Sequence, residues 1–128
     1  MKVLFDTHAF FWIISNDPRL SSSARDVFVR SENEIVLSVA SIWEILLKAA
    51  TGKFPFPRPA GSFLRAELKK TSVAVLPITL QHVLRLEQLP LHHRDPFDRI
   101  ILAQAMEEQI PVVSADSKFQ LYPVNVLW

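Results

Sequence analysis

At 128 residues the chain is most simply a single domain over residues 1–128, and almost half of its residues are hydrophobic, which excludes disorder of the whole chain. Cysteine is absent, which excludes a disulfide framework and a thiolate metal site, so any metal must be held by oxygen or imidazole. The formal net charge of +1 is too small to indicate nucleic-acid binding by itself.

The chain begins with the apolar run KVLF, which predicts a buried strand that ends before Asp6. No long apolar signal region precedes this run, and no apolar run elsewhere reaches the length of a membrane span, so we expect a cytoplasmic protein. Further apolar runs predict the other strands, at residues 34–39, 73–77, 110–114 and 124–127. Amphipathic stretches predict the longer helices, at residues 40–50, 60–70, 79–89 and 96–109.

Strands that alternate with helices predict an α/β fold of three layers, in which a central, mostly parallel sheet of four to five strands has helices on both faces. Sheets of this kind bind ligands beyond the carboxyl ends of their strands. Four acidic residues fall at such places, either just after a strand or in the early turns of a helix: Asp6, Glu44, Asp98 and Asp116.

Each of these acids also has a purely structural interpretation. Asp6 suits a helix cap and Asp116 suits a turn. Glu44 follows Ser41 at the spacing of a capping box and precedes Lys48 at the spacing of a surface ion pair. Four carboxylates at one sheet edge would nevertheless repel one another unless a cation lay among them. Hard oxygen ligands without cysteine indicate Mg²⁺, with Mn²⁺ as the alternative.

The segment HHRDPFDRIILAQA, residues 92–105, is a well-formed helix start. Asp95 is a typical N-cap, Pro96 suits the first helical position, and Asp98 falls on the third. The helix N-terminus should help to keep Asp98 ionised. From this segment alone, the two aspartates either cap the helix or contribute to a site.

The segments VLFDTH, SVASIWEILLK, HRDPFDRIILAQA and SADSKF together resemble the PIN domain, and specifically the VapC-like toxins of bacterial toxin–antitoxin pairs. The resemblance extends over essentially the whole chain and implies a PIN-like fold and a Mg²⁺-dependent ribonuclease. It further implies a cognate antitoxin that covers the active-site groove, a homodimer, and contact with DNA only indirectly, through the antitoxin.

The resemblance also assigns residues to roles. The catalytic and metal-binding acids would be Asp6, Glu44, Asp98 and Asp116, and the DRIILAQA run makes Asp98 a better match than Asp95 to the third acidic position. Supporting roles would fall to Asp95, Ser114 and Thr7. When bound, the metal would activate a water and polarise the scissile phosphate. One metal or two, and the RNA that is cut, stay open.

An acidic pocket repels RNA, so basic side chains must hold the RNA backbone. The candidates are Arg94, Arg99, His92 and His93, with Lys48 or Lys53 as further candidates; each is individually more typical of a solvated surface. We expect His8, two residues after Asp6, to be a buried, hydrogen-bonded histidine rather than a substrate contact.

Three other classes of protein compete with the ribonuclease hypothesis. A phosphoacceptor receiver domain would show a pair of acids after the first strand, whereas VLFDTH supplies one. A phosphoaspartate phosphatase would need an acid at position 8, which is His8. A non-catalytic PIN-like regulatory module that binds a protein or RNA is the remaining alternative, and the presence of all four acids argues against it.

Overall fold

A computed structural model describes residues 1–128. Five strands form one parallel sheet in the order β3-β2-β1-β4-β5: β1 (Lys2–Phe5), β2 (Glu34–Ser38), β3 (Ala74–Leu76), β4 (Val112–Val113) and β5 (Val126–Leu127). Six helices accompany it: α1 (Thr7–Ile14), α2 (Ser22–Val29), α3 (Val39–Ala50), α4 (Ala60–Thr71), α5 (Leu80–Arg85) and α6 (Pro96–Glu108). This confirms the predicted α/β fold.

The central strand β1 supplies both layers of the core because its side chains alternate between the two faces of the sheet. Val3 and Phe5 pack into one apolar cluster with α1 and α2, whereas Leu4 packs into the other with α6. Phe5 pairs in register with Leu37 of β2 and Val113 of β4. Burial on both faces explains why these strands are continuous apolar runs.

β1 lies at the centre of the sheet, with β2 on one side and β4 on the other. The strand order therefore changes direction at β1. Ligand sites of open parallel sheets lie at the carboxyl ends of the strands, where the strand order changes direction in this way. Asp6 follows β1 directly, and Ser114 follows β4 directly. The fold therefore places the predicted acidic edge at the position where such sheets bind ligands.

Two segments differ in detail from the sequence-based prediction. The predicted helix at 79–89 is shorter, because α5 ends at Arg85 and a 3₁₀ turn, Leu86–Gln88, follows. Leu89 is extended, as expected of a residue that precedes a proline. A second 3₁₀ turn, Ser117–Leu121, begins directly after Asp116. No helix in the structure combines the length and the apolar character that crossing a membrane requires.

Candidate active site

Asp6 lies in the crevice between β1 and β4 and is almost fully buried. It is the N-cap of α1, and its Oδ1 accepts a hydrogen bond from the Ala9 N–H at 2.8 Å. Burial raises the pKa of Asp6 to about 6, although hydrogen bonds from Ser114 and Ala9 oppose this rise. The capping interpretation is thus correct for one carboxylate oxygen, and the cost of burying a charge still acts on the group.

Glu44 is buried in α3, and its local role differs from the predicted one. The N-cap of α3 is Ser38, so the proposed capping box that starts at Ser41 is wrong. Ser41 instead accepts a hydrogen bond from the Thr7 hydroxyl at 2.9 Å. Lys48 pairs with Glu44 Oε2, whereas Glu44 Oε1 is buried and has no hydrogen-bond partner. An orphaned buried carboxylate oxygen is costly unless a cation or water satisfies it.

At the start of α6, Asp95 and Asp98 have different local roles. Asp95 caps the helix, since its Oδ1 accepts the N–H groups of Phe97 at 2.8 Å and Asp98 at 3.2 Å. The Asp98 side chain makes no backbone cap and is about 18% exposed. The sequence-based expectation for Asp95 agrees with this geometry.

Asp98 has the most strongly raised pKa of the four acids. Burial and, in decreasing order, the negative charges of Asp95, Asp6, Glu44 and Asp116 together raise its pKa to about 8. The helix N-terminus was expected to help keep Asp98 ionised, whereas burial and four like charges act in the opposite direction in the metal-free protein. The same result shows that the four predicted acids lie close enough to act on one another.

Asp116 reaches this group of acids from the other side of the crevice, and His93 joins it to Asp98. His93 Nε2 lies 2.7 Å from Asp116 Oδ2 and 3.1 Å from Asp98 Oδ2. The Asp95 N–H donates to His93 Nδ1 at 3.2 Å, so Nδ1 is unprotonated and Nε2 carries the proton. His93 in this tautomer donates to the carboxylates and holds two of them together.

Ser114 connects the acids of β1 and β4. Its hydroxyl accepts the Asp116 N–H at 3.0 Å and lies close enough to Asp6 to oppose the rise in the pKa of that carboxyl. Thr7 follows Asp6 as the first residue of α1. Its side chain is buried, and its hydroxyl donates a hydrogen bond to Ser41. Both residues thus lie beside the acids, and their hydroxyl groups are engaged in these hydrogen bonds.

The donor set fits a hard divalent cation. The site consists of carboxylate oxygens, one of which, Glu44 Oε1, is buried without a partner. Carboxylate oxygens of Asp98 and Asp116 lie within 4.8 Å of each other, and His93 Nε2 bridges the two groups. A cation among these groups would reverse the repulsion that raises the pKa of Asp98, and its binding would release the proton.

The structure divides the candidate RNA contacts into two sets. His92 and Arg94 are exposed. His93 is buried, and its ring is bonded within the acidic site, so its predicted role as an RNA contact is wrong. Arg99 is also unsuited to that role, because its guanidinium donates to four backbone carbonyls, those of Leu86, Leu89, Pro90 and His93.

The burial of two histidines, His8 and His93, is the opposite of what the sequence predicts. His8, expected to be buried, is exposed at the start of α1, because its neighbours Thr7 and Ala9 take the buried positions of that turn. His93, expected at the surface, holds the acids together. Only the position of His93 two residues before the N-cap Asp95 could have suggested a link to the helix start.

The chain belongs to the PIN domain family, since the family model for the PIN domain matches residues 3–125. Ribonuclease VapC16 of Mycobacterium tuberculosis is 32% identical to this chain over 69 residues, which are 51% of this chain and 49% of that protein. The match thus spans about half the length of this curated relative.

Solved structures of toxin–antitoxin complexes share the fold. VapBC2 from Rickettsia felis, bound to a DNA fragment from its promoter, superposes with a TM-score of 0.75 at 15% identity and covers 98% of this chain and 97% of its own. DNA-bound VapBC from Salmonella typhimurium superposes with a TM-score of 0.72 at 18% identity, over 98% of this chain and 96% of its own. At these identities the likeness concerns the fold alone.

Proposed function

We propose that this protein is a Mg²⁺-dependent ribonuclease toxin that hydrolyses RNA phosphodiester bonds and is neutralised by a cognate antitoxin. The observation that carries the proposal is the group of four converging acids, in which Asp98 holds a strongly raised pKa and Glu44 keeps a buried oxygen without a partner. A nuclease is the activity named for the matched relative, Ribonuclease VapC16. Mn²⁺ has the same ligand preference and is the expected substitute.

Asp6, Glu44, Asp98 and Asp116 would hold the metal, directly or through water. When bound, the metal would supply an activated water and neutralise the charge of the scissile phosphate. Lys48 draws one Glu44 oxygen to itself and leaves the other for the cation. His93 keeps Asp98 and Asp116 in place through Nε2, and the Asp95 cap fixes the backbone of the turn that carries Asp98.

An antitoxin partner is proposed because similar solved structures are toxin–antitoxin complexes. A homodimer is supported by exposed apolar side chains on α3 and α5. Trp43, Leu47, Leu80 and Leu84 are each about half exposed or more. Trp43 of α3 and Val83 of α5 also line one apolar pocket, so exposed apolar surface extends from one helix to the other. Larger apolar patches mark protein interfaces in soluble proteins.

The proposal is tested with purified protein and a pool of structured and single-stranded RNAs, with Mg²⁺ and with EDTA. Cleavage should require the metal. Asp98→Asn should lower the cleavage rate about a thousandfold, since a metal site supplies several kcal/mol of transition-state stabilisation. The matched control is Glu108→Gln, a carboxylate change on the same helix that lies outside the acidic site.

Cleavage that persists in EDTA, or in Asp98→Asn at the wild-type rate, would contradict the assignment of the site. No cleavage of any RNA by the folded wild-type protein with Mg²⁺ or Mn²⁺ would favour the non-catalytic PIN-like module. Folding of each variant is checked by its thermal unfolding curve.

A further inference from the structure

A cleft of about 480 Å³ lies between α1 and the proline-rich loop of residues 53–59. Its walls combine aromatic and basic side chains, among them His8, Trp12, Phe54, Arg19 and Lys53. The four predicted acids do not line it. A cleft of this size accommodates a small planar ligand such as a nucleoside.

Two side chains join this cleft to the acidic site. Lys48 pairs with Glu44, and the same Nζ lies over the ring of Phe54, 5.2 Å from its centroid. His8 lines the cleft two residues after Asp6, close enough for its charge to act on that carboxylate. A chain that passes over the acids therefore has this cleft directly beside it.

Within the cleft, His8 is the aromatic ring that is left exposed. Phe54 has one face stacked on Phe11, at a centroid distance of 4.8 Å. The guanidinium of Arg19 lies over Trp12 at 5.1 Å. The exposed His8 ring contacts both Phe54 and Trp12, at centroid distances of 5.9 Å and 6.0 Å.

The charges at the cleft suit an anionic chain. Arg19 is paired with Asp17 at 2.7 Å, so its charge is largely neutralised. Lys53 is exposed and forms no ion pair or side-chain hydrogen bond. An ammonium group at the mouth of an aromatic cleft is the combination by which proteins bind single-stranded nucleic acid, with bases stacked on rings and phosphates near cations.

We propose that this cleft is a base-binding subsite, in which one base of a single-stranded RNA stacks on His8 between Phe54 and Trp12 while Lys53 contacts a neighbouring phosphate. The subsite adjoins the acids, so it selects an unpaired nucleotide close to the bond that is cut. The inference rests on the proposed function only for the identity of the substrate as RNA.

The test measures binding by fluorescence anisotropy, with Ca²⁺ in place of Mg²⁺ to prevent turnover. The probes are labelled decamers of uridine and adenosine, and an abasic decamer with the same phosphates. The wild-type protein should bind one or both base-bearing decamers about tenfold more tightly than the abasic one, which is within the range for one stacked base. His8→Ala should abolish this preference, and His8→Phe should retain it because the ring surface remains.

Two further variants separate the parts of the subsite. Lys53→Ala should weaken binding of all three decamers equally and lower the salt slope by about one unit. The matched control is Phe63→Leu, an aromatic change in α4 at a ring that packs on Phe56 and does not line this cleft. It should leave the preference for bases unchanged.

Equal binding of base-bearing and abasic decamers by the wild type, or no binding at all, would overturn the inference and favour a peptide of a protein partner as the occupant. The same holds if His8→Phe behaves like His8→Ala. Cleavage of the RNA pool with Mg²⁺ is read separately. Cleavage without base-dependent binding overturns only the subsite, and base-dependent binding without cleavage overturns only the nuclease.

Discussion

His82 and His93 are built into the fold by the same local pattern. The ring of His82 accepts the Thr79 N–H through Nδ1 at 3.0 Å, and its Nε2 lies 3.0 Å from Glu108 Oε2. The ring of His93 likewise accepts a backbone N–H through Nδ1 and places Nε2 against a carboxylate. Both rings are buried, and in both the backbone N–H fixes the proton on Nε2.

The two histidines differ in the number of acids they meet. His82 meets one carboxylate, that of Glu108, and completes a capping box at the start of α5. His93 meets Asp98 and Asp116, and Asp98 in turn has its pKa raised by other acids. We therefore expect the isolated His82–Glu108 pair to contribute to stability alone, and the His93 cluster to contribute to the proposed metal site as well.

The largest effect that this comparison predicts is on metal binding. His93→Ala should weaken Mg²⁺ binding and cleavage by about ten- to a hundredfold, the range for residues that orient metal ligands. His82→Ala should leave both unchanged and lower the free energy of unfolding by about 1–3 kcal/mol, the cost of an unsatisfied buried group. Mg²⁺ affinity is measured by the metal-dependent shift of Tm.

His93→Gln serves as the conservative variant, since its amide can still donate to a carboxylate and should recover part of the Mg²⁺ affinity. His82→Gln is its matched control. Equal loss of Mg²⁺ affinity in His82→Ala and His93→Ala would show that the two histidines do not differ in the way proposed.

The second prediction concerns the pH dependence of the metal-free protein. The pKa values of Asp98 and Asp6 are raised from 3.8 to about 8 and about 6 by folding. The folded state therefore holds protons that the unfolded chain has released, and the free energy of unfolding falls as the pH rises from about 4 to about 8. The sign is the reverse of that of a salt-bridged carboxylate.

In EDTA, Asp98→Asn should therefore exceed the wild type in Tm at pH 8.5, by about 5 °C for each kcal/mol relieved, and by much less at pH 5. Mg²⁺ should raise the Tm of the wild type at pH 8.5 and leave that of the variant unchanged. Asp26→Asn, a change at an exposed carboxylate of α2, should show the wild-type pH dependence. A Tm difference that is constant across this pH range would contradict the proposed protonation of Asp98.

The smallest expected effects concern Arg94 and Arg99, which the sequence predicts equally as RNA contacts. Arg99 should contribute to stability, since it binds four carbonyls, and Arg99→Lys should lower the free energy of unfolding by about 1–2 kcal/mol because lysine lacks the planar fork. Arg94→Ala should leave stability unchanged and lower the RNA salt slope by about one unit. Chemical denaturation measures the effect on stability, and RNA binding at several salt concentrations measures the salt slope. A lower salt slope in Arg99→Lys with unchanged stability would instead indicate that Arg99 contacts RNA.

The sequence by itself determined the architecture and the edge at which the acids meet. Apolar runs alternate with amphipathic stretches, and parallel strands must end at one edge, so Asp6 and Asp116 could be placed near each other without coordinates. The cap at Asp95 was equally predictable, because capping depends on backbone geometry within three residues. These features depend on local periodicity and on topology.

Only the tertiary structure decided the environment of each side chain. His93 meets Asp116 across 23 residues of sequence, Arg99 binds carbonyls up to 13 residues away, and His8 is exposed although its sequence neighbours are buried. Burial, protonation and the supply of hydrogen-bond partners depend on segments that are distant in sequence and come together on folding. For that reason the sequence located the acidic edge, whereas the structure distinguished the side chains that are buried and hydrogen-bonded there from those that are exposed.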